Sequence, residues 1–349
     1  MNRYPFPLPY GWFQVCEPEE VAAGATKALY YFDRHLVAWR DDGGELHVMD
    51  AFCPHLGAHL GHGGTVEGCQ IQCPFHGWRF DTEGTNVDIP YSTRTNKRAR
   101  VRAYPTCEVN GKSLAWFHPD PEVEPQWHVP ALPELADGEG WWGPVRTRHT
   151  VQAHTQELGE NAVDSAHFRY VHNTAEVPEI TSYVTDGPLA EMKSVQRFPT
   201  PRGVVDGFIE STGYGPGVAV VRFGGIVDTL LVTSTTPIDT GSCETRFDFY
   251  TRSLGDAEAT SNVAQAFVAE VDRQFLEDMP VWEHKAHLTR PALADTDGPF
   301  MAFRKWYAQF YAEGTEPGDE RSLFPPPYWP DKMDESPAKA TASARHGGG

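Results

Sequence analysis

Two cysteines and two histidines carry the strongest chemical signal in this chain: Cys53-Pro54-His55, then residues 56–72, then Cys73-Pro74-Phe75-His76. Two thiolates and two imidazoles in that order suit a [2Fe–2S] cluster of mixed ligation. The thiolates hold one iron and the neutral imidazoles hold the other, which raises the reduction potential above that of an all-cysteine cluster. Gly57, Gly61, Gly63, Gly64 and Gly77 surround these residues. They permit tight turns whose N–H groups approach cluster sulfurs closely. A tetrahedral zinc site also takes mixed Cys and His ligands. It does not account for C-P-H paired with C-P-x-H-G-W inside glycine-rich loops.

A second set of donors follows at Asn161-Ala-Val-Asp164-Ser-Ala-His167-Phe-Arg-Tyr-Val-His172. Asn161, Asp164 and His167 are three apart and would share one helical face. His172 lies five further on, roughly 140° round an ideal helix. Both imidazoles reach one metal only if the helix ends or bends between them, and residues 170–173 are the expected end. Two neutral nitrogens and one carboxylate on one face of iron leave positions open for dioxygen and substrate. Alone, D-x-x-H is as readily a solvated helix face.

The carboxylate is expected from the helix predicted at residues 262–287, which offers Asp272, Glu277, Asp278 and Glu283. Asp278 has Phe275 three before it and Trp282 four after it, so its face is directed inward. Glu277 and Glu283 are read as facing solvent. A carboxylate on an apolar face is costly unless paired or bound to metal, and Asp278 is therefore the third ligand expected. Phe275 and Trp282, on its own face, are the expected substrate-pocket residues. Val220, Phe223, Ile226 and Leu230 are further candidates that core packing explains equally. His59, His62, His284 and His287 receive no ligand role, and Cys69 is read as a small apolar strand residue.

The elements around these sites divide the 349 residues into two units. Residues 1–120 read as short β segments broken by turns, with both halves of the cluster motif in loops. A proline- and acid-rich linker over residues 119–133 leads into the second unit, residues 121–330. There the pattern is helix over 152–171, strands over 218–237 and 244–252, and the long helix, an α+β arrangement. Residues 331–349 are expected to be a disordered tail. Against 29 Lys+Arg stand 48 Asp+Glu, a net charge of −19. That argues against nucleic-acid binding and against docking on anionic membranes, while a local basic patch for a redox partner stays open. No signal peptide or membrane span is expected, and a reducing cytoplasm suits the unpaired cysteines.

The chain resembles the Rieske non-haem iron oxygenase α-subunits over nearly its full length. Within them it is most similar to the branch of 3-ketosteroid 9α-hydroxylase oxygenases and sterol 7-desaturases. Pro9-Tyr-Gly-Trp-Phe-Gln-Val, Asp50-Ala-Phe-Cys-Pro-His-Leu-Gly-Ala-His-Leu-Gly and Asp88-Ile-Pro-Tyr carry the likeness, as do Asp297-Gly-Pro and Phe303-Arg-Lys-Trp-Tyr. The resemblance implies an all-β Rieske domain and a helix-grip catalytic domain, a curved antiparallel sheet cupping a helix. It implies a [2Fe–2S] cluster at Cys53, His55, Cys73 and His76, and a mononuclear Fe(II) at His167, His172 and Asp278. Asp164 would bridge a neighbour's cluster histidine, His76, to His167 inside a head-to-tail homotrimer, with Asn161 supporting the iron ligands. Electrons would come from NAD(P)H through a separate reductase, with or without a ferredoxin between. Dioxygen would then hydroxylate or desaturate an apolar, steroid-like substrate; aromatic or other small molecules are the alternative.

Overall fold

Alternating apolar and β-branched residues build antiparallel sheet in both halves of the described chain. The computed structural model describes residues 3–136, 138–200, 203–225 and 227–312. The tail expectation for residues 331–349 and the pocket candidate Ile226 lie outside the described residues.

The first unit holds β1 (Gly11–Cys16), β2 (Thr26–Tyr31), β3 (Arg34–Arg40), β4 (Leu46–Asp50), β5 (Thr65–Glu67) and β6 (Gln70–Gln72). β7 (Arg79–Phe80), β8 (Asn86–Asp88), β9 (Ala103–Tyr104), β10 (Thr106–Val109) and β11 (Lys112–Phe117) complete it. They pair into three small sheets, ordered β1-β11-β10, β2-β3-β4-β9 and β5-β6-β7-β8. Val37, Trp39, Met49, Leu60, Ile71 and Phe80 pack with Cys53 and Cys73 into one buried cluster. The cysteines are therefore held by core packing as well as by their own turns. Cys69 sits in an exposed turn between β5 and β6. The strand reading for it fails because the two strands are only three residues long and Gly68, at φ +62°, turns the chain there.

After α1 (Pro133–Ala136), β12 (Trp141–Val151), α2 (Thr155–Glu160) and α3 (His167–Tyr170) come the remaining strands. These are β13 (Glu179–Asp186), β14 (Leu189–Thr200), β15 (Gly203–Tyr214), β16 (Val218–Gly224), β17 (Thr229–Pro237) and β18 (Cys243–Arg252). They form one seven-stranded antiparallel sheet, β12-β18-β17-β16-β15-β14-β13. α4 (Ala257–His284) lies against β12 and β18 and buries Val268, Phe275 and Trp282 with Phe247 and Phe249 of the sheet. Asp256 caps α4, its carboxylate accepting from Ala259 N at 2.7 Å. α5 (Phe300–Tyr307) closes the far end, burying Phe303, Trp306 and Tyr307. This is the α+β architecture expected.

Residues 152–171 do not form one helix. α2 ends at Glu160, a short 3₁₀ turn covers Asn161–Val163, and Asp164 is extended at φ −96°, ψ 100°. Asn161, Asp164 and His167 therefore share no helical face; the chain folds over itself to bring them together. α3 stops at Tyr170, and Asn173 turns left-handed at φ +57°.

The two units are joined by buried polar pairs. Lys112 Nζ on β11 lies 2.7 Å from Asp248 Oδ1 on β18, both about fully buried. Tyr31 Oη donates to Glu244 Oε1 at 2.7 Å and accepts from Arg246 Nη2 at 3.0 Å. Ser234 Oγ donates to Gln14 Oε1 at 2.6 Å. Removing one partner of the Lys112–Asp248 pair costs about 3–5 kcal/mol, because the other charge stays buried and unpaired.

Candidate metal centres

Each half of the cluster motif is a closed turn. Gly57 N donates to Cys53 O at 2.9 Å, and Gly77 N to Cys73 O at 3.1 Å. Both glycines have positive φ, +77° and +70°. At Gly77 an added Cβ would meet Pro90 Cγ at 2.9 Å, so glycine is required twice over. The turns bury Cys53 and Cys73 to 2% exposure and leave His55 and His76 half-buried. The His55 and His76 rings lie 4.7 Å apart, and His55 stacks on Trp78 at 4.5 Å and 7°. Burial pushes the Cys53 thiol up to about 11, with Cys73 beside it. Two buried thiols that form no disulfide are costly to ionise alone and suit a cationic iron pair.

Zinc fits less well. Among the described residues three donor sets converge within 4.8 Å, and the four cluster residues do not form one of them. One tetrahedral ion needs its donors that close; two bridged irons hold them further apart.

The second centre does converge. One donor atom each from His167, His172 and Asp278 lies within 4.8 Å of the others. His167 Nε2 is 3.9 Å from Asp278 Oδ2, and His172 Nε2 is 3.3 Å from Asp278 Oδ1. Both ring nitrogens of His167 are buried without a hydrogen-bond partner. The Nδ1 of His172 donates to Glu277 Oε2 at 3.0 Å. The lone pair of its Nε2 then faces the Asp278 carboxylate, acceptor against acceptor, an arrangement that calls for a cation between them. Burial raises the Asp278 pKa despite the two imidazoles. Asn161 Nδ2 donates to Asp278 Oδ2 at 3.4 Å. Asp164 Oδ1 accepts from His167 N at 3.3 Å and lies 3.7 Å from its Nδ1. Iron fits this donor set, two imidazoles and a carboxylate.

Glu277 was read from the sequence as solvent-facing, and the structure corrects this. It precedes Asp278, and the loop after α3 brings His172 onto the side of α4 that Glu277 occupies. Arg273 holds its other oxygen. The hydrogen bond from His172 keeps its carboxyl below the ordinary range. Glu283 accepts from Gln152 N at 3.1 Å, and Asp272 pairs with His149 at 2.6 Å. His287 is buried against Glu157 at 2.6 Å, His284 is bonded to Pro280 O, and His59 packs against Phe52 and His62.

Beside His167, His172 and Asp278 lies a cavity of about 430 Å³ between the concave sheet face and α4. Phe275 and Trp282 line it, with Met192, Val221, Phe223 and Leu231. Val220 and Leu230, also candidates, point the other way and pack with Leu132 and Val232. Successive strand residues face opposite sides of a sheet, so Val221 and Leu231 are the inward ones. The strands at residues 179–214, unread in the sequence, supply Met192 and much of the cavity wall.

A family model for the 3-ketosteroid 9α-hydroxylase C-terminal domain matches residues 115–311, and one for the Rieske [2Fe-2S] domain matches residues 11–105. The chain is a Rieske oxygenase. This oxygenase is 31% identical to the Rhodococcus rhodochrous 3-ketosteroid-9-alpha-monooxygenase oxygenase component, covering 87% of this chain and 84% of the relative. It is equally 31% identical to the Caenorhabditis elegans cholesterol 7-desaturase, covering 88% and 78%. In fold it is similar to dicamba monooxygenase bound to dicamba, with a TM-score of 0.68 at 19% identity over 86% of this chain and 96% of that one. The oxygenase carries a Rieske [2Fe–2S] domain, and its Rhodococcus relative is named as the oxygenase component of a monooxygenase. No helix among the described residues is long and apolar enough to cross a membrane.

Proposed function

We propose that this oxygenase hydroxylates a C–H bond of an apolar, polycyclic, steroid-like molecule. The observation that carries the reading is the apolar cavity beside His167, His172 and Asp278. At about 430 Å³ it falls in the ~300–1,000 Å³ range of small-molecule sites. Both curated relatives named above act on steroid or sterol substrates by name. The likeness to a cholesterol 7-desaturase favours a second outcome on the same substrate class, loss of a second hydrogen to give a double bond.

Cys53, His55, Cys73 and His76 would hold the cluster; His167, His172 and Asp278 would hold the iron. When bound, the cluster supplies single electrons and the iron supplies the site of dioxygen reduction. The chain's own residues do the rest. Phe275, Trp282 and Phe223 exclude water and give the substrate an apolar bed. Glu277 accepts the Nδ1 proton of His172 and so presents the Nε2 lone pair inward. Asn161 donates to one Asp278 oxygen and orients the carboxylate. Asp164, a third exposed at its side chain, would reach from His167 to His76 of a neighbouring copy in a homotrimer. A ferredoxin between reductase and oxygenase and a cytoplasmic setting belong to the same reading.

The test is anaerobic titration of the iron-loaded protein with a panel of steroids, followed by product analysis after air and reductant are admitted. Steroids should perturb the iron's spectrum and yield hydroxylated or dehydrogenated product. Turnover confined to small polar acids would overturn the substrate class.

A further inference from the structure

More than half of the described lysines and arginines have a carboxylate beside them: Arg40 has Glu108, Arg148 has Glu244, Lys112 has Asp248 and Arg222 has Glu134. One run does not. Arg94, Lys97, Arg98 and Arg100 are all exposed, and no described carboxylate lies within 4.0 Å of any of them; Arg100 donates to Thr85 Oγ1 at 3.1 Å. From Ile89 to Val101 the sequence contains no Asp or Glu. The segment is nevertheless well tied. Asn96 N donates to Asn86 Oδ1 at 2.9 Å, Arg98 N to Asn96 Oδ1 at 3.1 Å, and Ala99 is buried. Four like charges within residues 94–100, none with a carboxylate partner, repel one another, yet these backbone ties hold the segment in place.

This loop starts at the cluster turn. Pro90 packs on Gly77. Tyr91, 63% exposed, accepts a hydrogen bond at 2.7 Å from Trp78 Nε1, and Trp78 is the ring stacked on His55. A continuous contact path therefore runs from the exposed Tyr91 ring to a cluster residue, beside a positive patch.

We propose that residues 91–100 are the docking surface for an acidic electron-donor protein, with Tyr91 and Trp78 carrying the contact to His55. The inference rests on the cluster reading of Cys53, His55, Cys73 and His76. Each encounter moves one electron: the donor's reduced centre loses it, a ferric iron of the cluster gains it, and no bond or proton changes. A donor must arrive and leave, and long unpaired cations suit that by raising the on-rate more than the lifetime.

The test uses the holoprotein and a strongly acidic plant-type [2Fe–2S] ferredoxin as the donor. Stopped-flow reduction of the cluster is followed at several salt concentrations, and binding of the oxidised ferredoxin is measured separately. Arg94→Glu/Arg98→Glu should slow reduction by about tenfold or more at low salt, flatten its salt dependence and weaken binding in step. Arg94→Lys/Arg98→Lys should keep both. Dithionite should reduce the same fraction of cluster in every variant. Equal rates and affinities for the charge-reversed and wild-type proteins would overturn the proposal. So would a change in oligomeric state on charge reversal, which would make the loop a contact between copies. A wild-type protein without a Rieske electron-paramagnetic signal would instead remove the cluster reading beneath it.

Discussion

Glu277 Oε2 lies 3.0 Å from His172 Nδ1, while the neighbouring Asp278 offers Oδ1 to His172 Nε2 at 3.3 Å. Two consecutive acids on α4 thus flank one imidazole, Glu277 holding its N–H and Asp278 facing the lone pair of its other nitrogen. Glu277→Leu should remove the outer hold and lower iron affinity by about 10–100-fold, the usual cost of losing such a partner. Glu277→Gln keeps an acceptor oxygen and should lose much less. Iron stoichiometry against a competing chelator measures this, with acid-labile sulfide as the control. Full iron retention in the Leu variant would show that His172 needs no such support.

Asp164 touches both the backbone N–H and the ring side of His167. Asp164→Asn keeps the shape and removes the charge. We expect reductase to reduce the cluster as before, while substrate-coupled oxygen uptake falls by about two orders of magnitude. Rapid-mixing absorbance for the cluster, with an oxygen electrode beside it, separates the two steps. Unchanged oxygen uptake would exclude a bridging role.

Gly77 combines φ +70° with Pro90 Cγ only 2.9 Å from where a Cβ would stand. Gly77→Ala strains the turn and pushes on the loop that carries Tyr91. A loss of about 1–3 kcal/mol is expected, read as a lower melting temperature and substoichiometric cluster. Wild-type values for both would mean that the turn relaxes freely.

His154 gives the fold a pH dependence of known sign. It is 1% exposed, and its Nδ1 accepts from Gln156 N at 3.1 Å, so its Nε2–H donates to Pro7 O at 3.0 Å. Burial pushes its pKa down to about 4. The unfolded chain takes up the proton near pH 6.5, and the folded chain does so only near 4. Its contribution is therefore whole above pH 6.5 and is lost as pH falls from 6.5 towards 4. About 2 kcal/mol should be gone by pH 5. His154→Gln should show a shallower fall in urea midpoint between pH 7.5 and pH 5. Parallel profiles would assign the acid sensitivity elsewhere.

Residue type and spacing alone made the cluster turns legible, because Cys, His and Gly at short intervals admit few local geometries. The paired histidines and the inward face of Asp278 were legible too, since helix periodicity sets which residues point the same way. Glu277 was not. Whether a half-exposed acid meets solvent or an imidazole depends on where a loop 105 residues earlier returns. Nor was the parity of the sheet: Val220 and Val221 are alike in type, and only the register decides which one faces the cavity. The sequence by itself determined which donor residues the chain offers to two candidate metal sites, since residue type and short spacing are local properties. Only the tertiary structure decided what supports those ligands, which strand residues wall the cavity and that the basic loop stands beside His55, because such neighbours are set by long-range pairing.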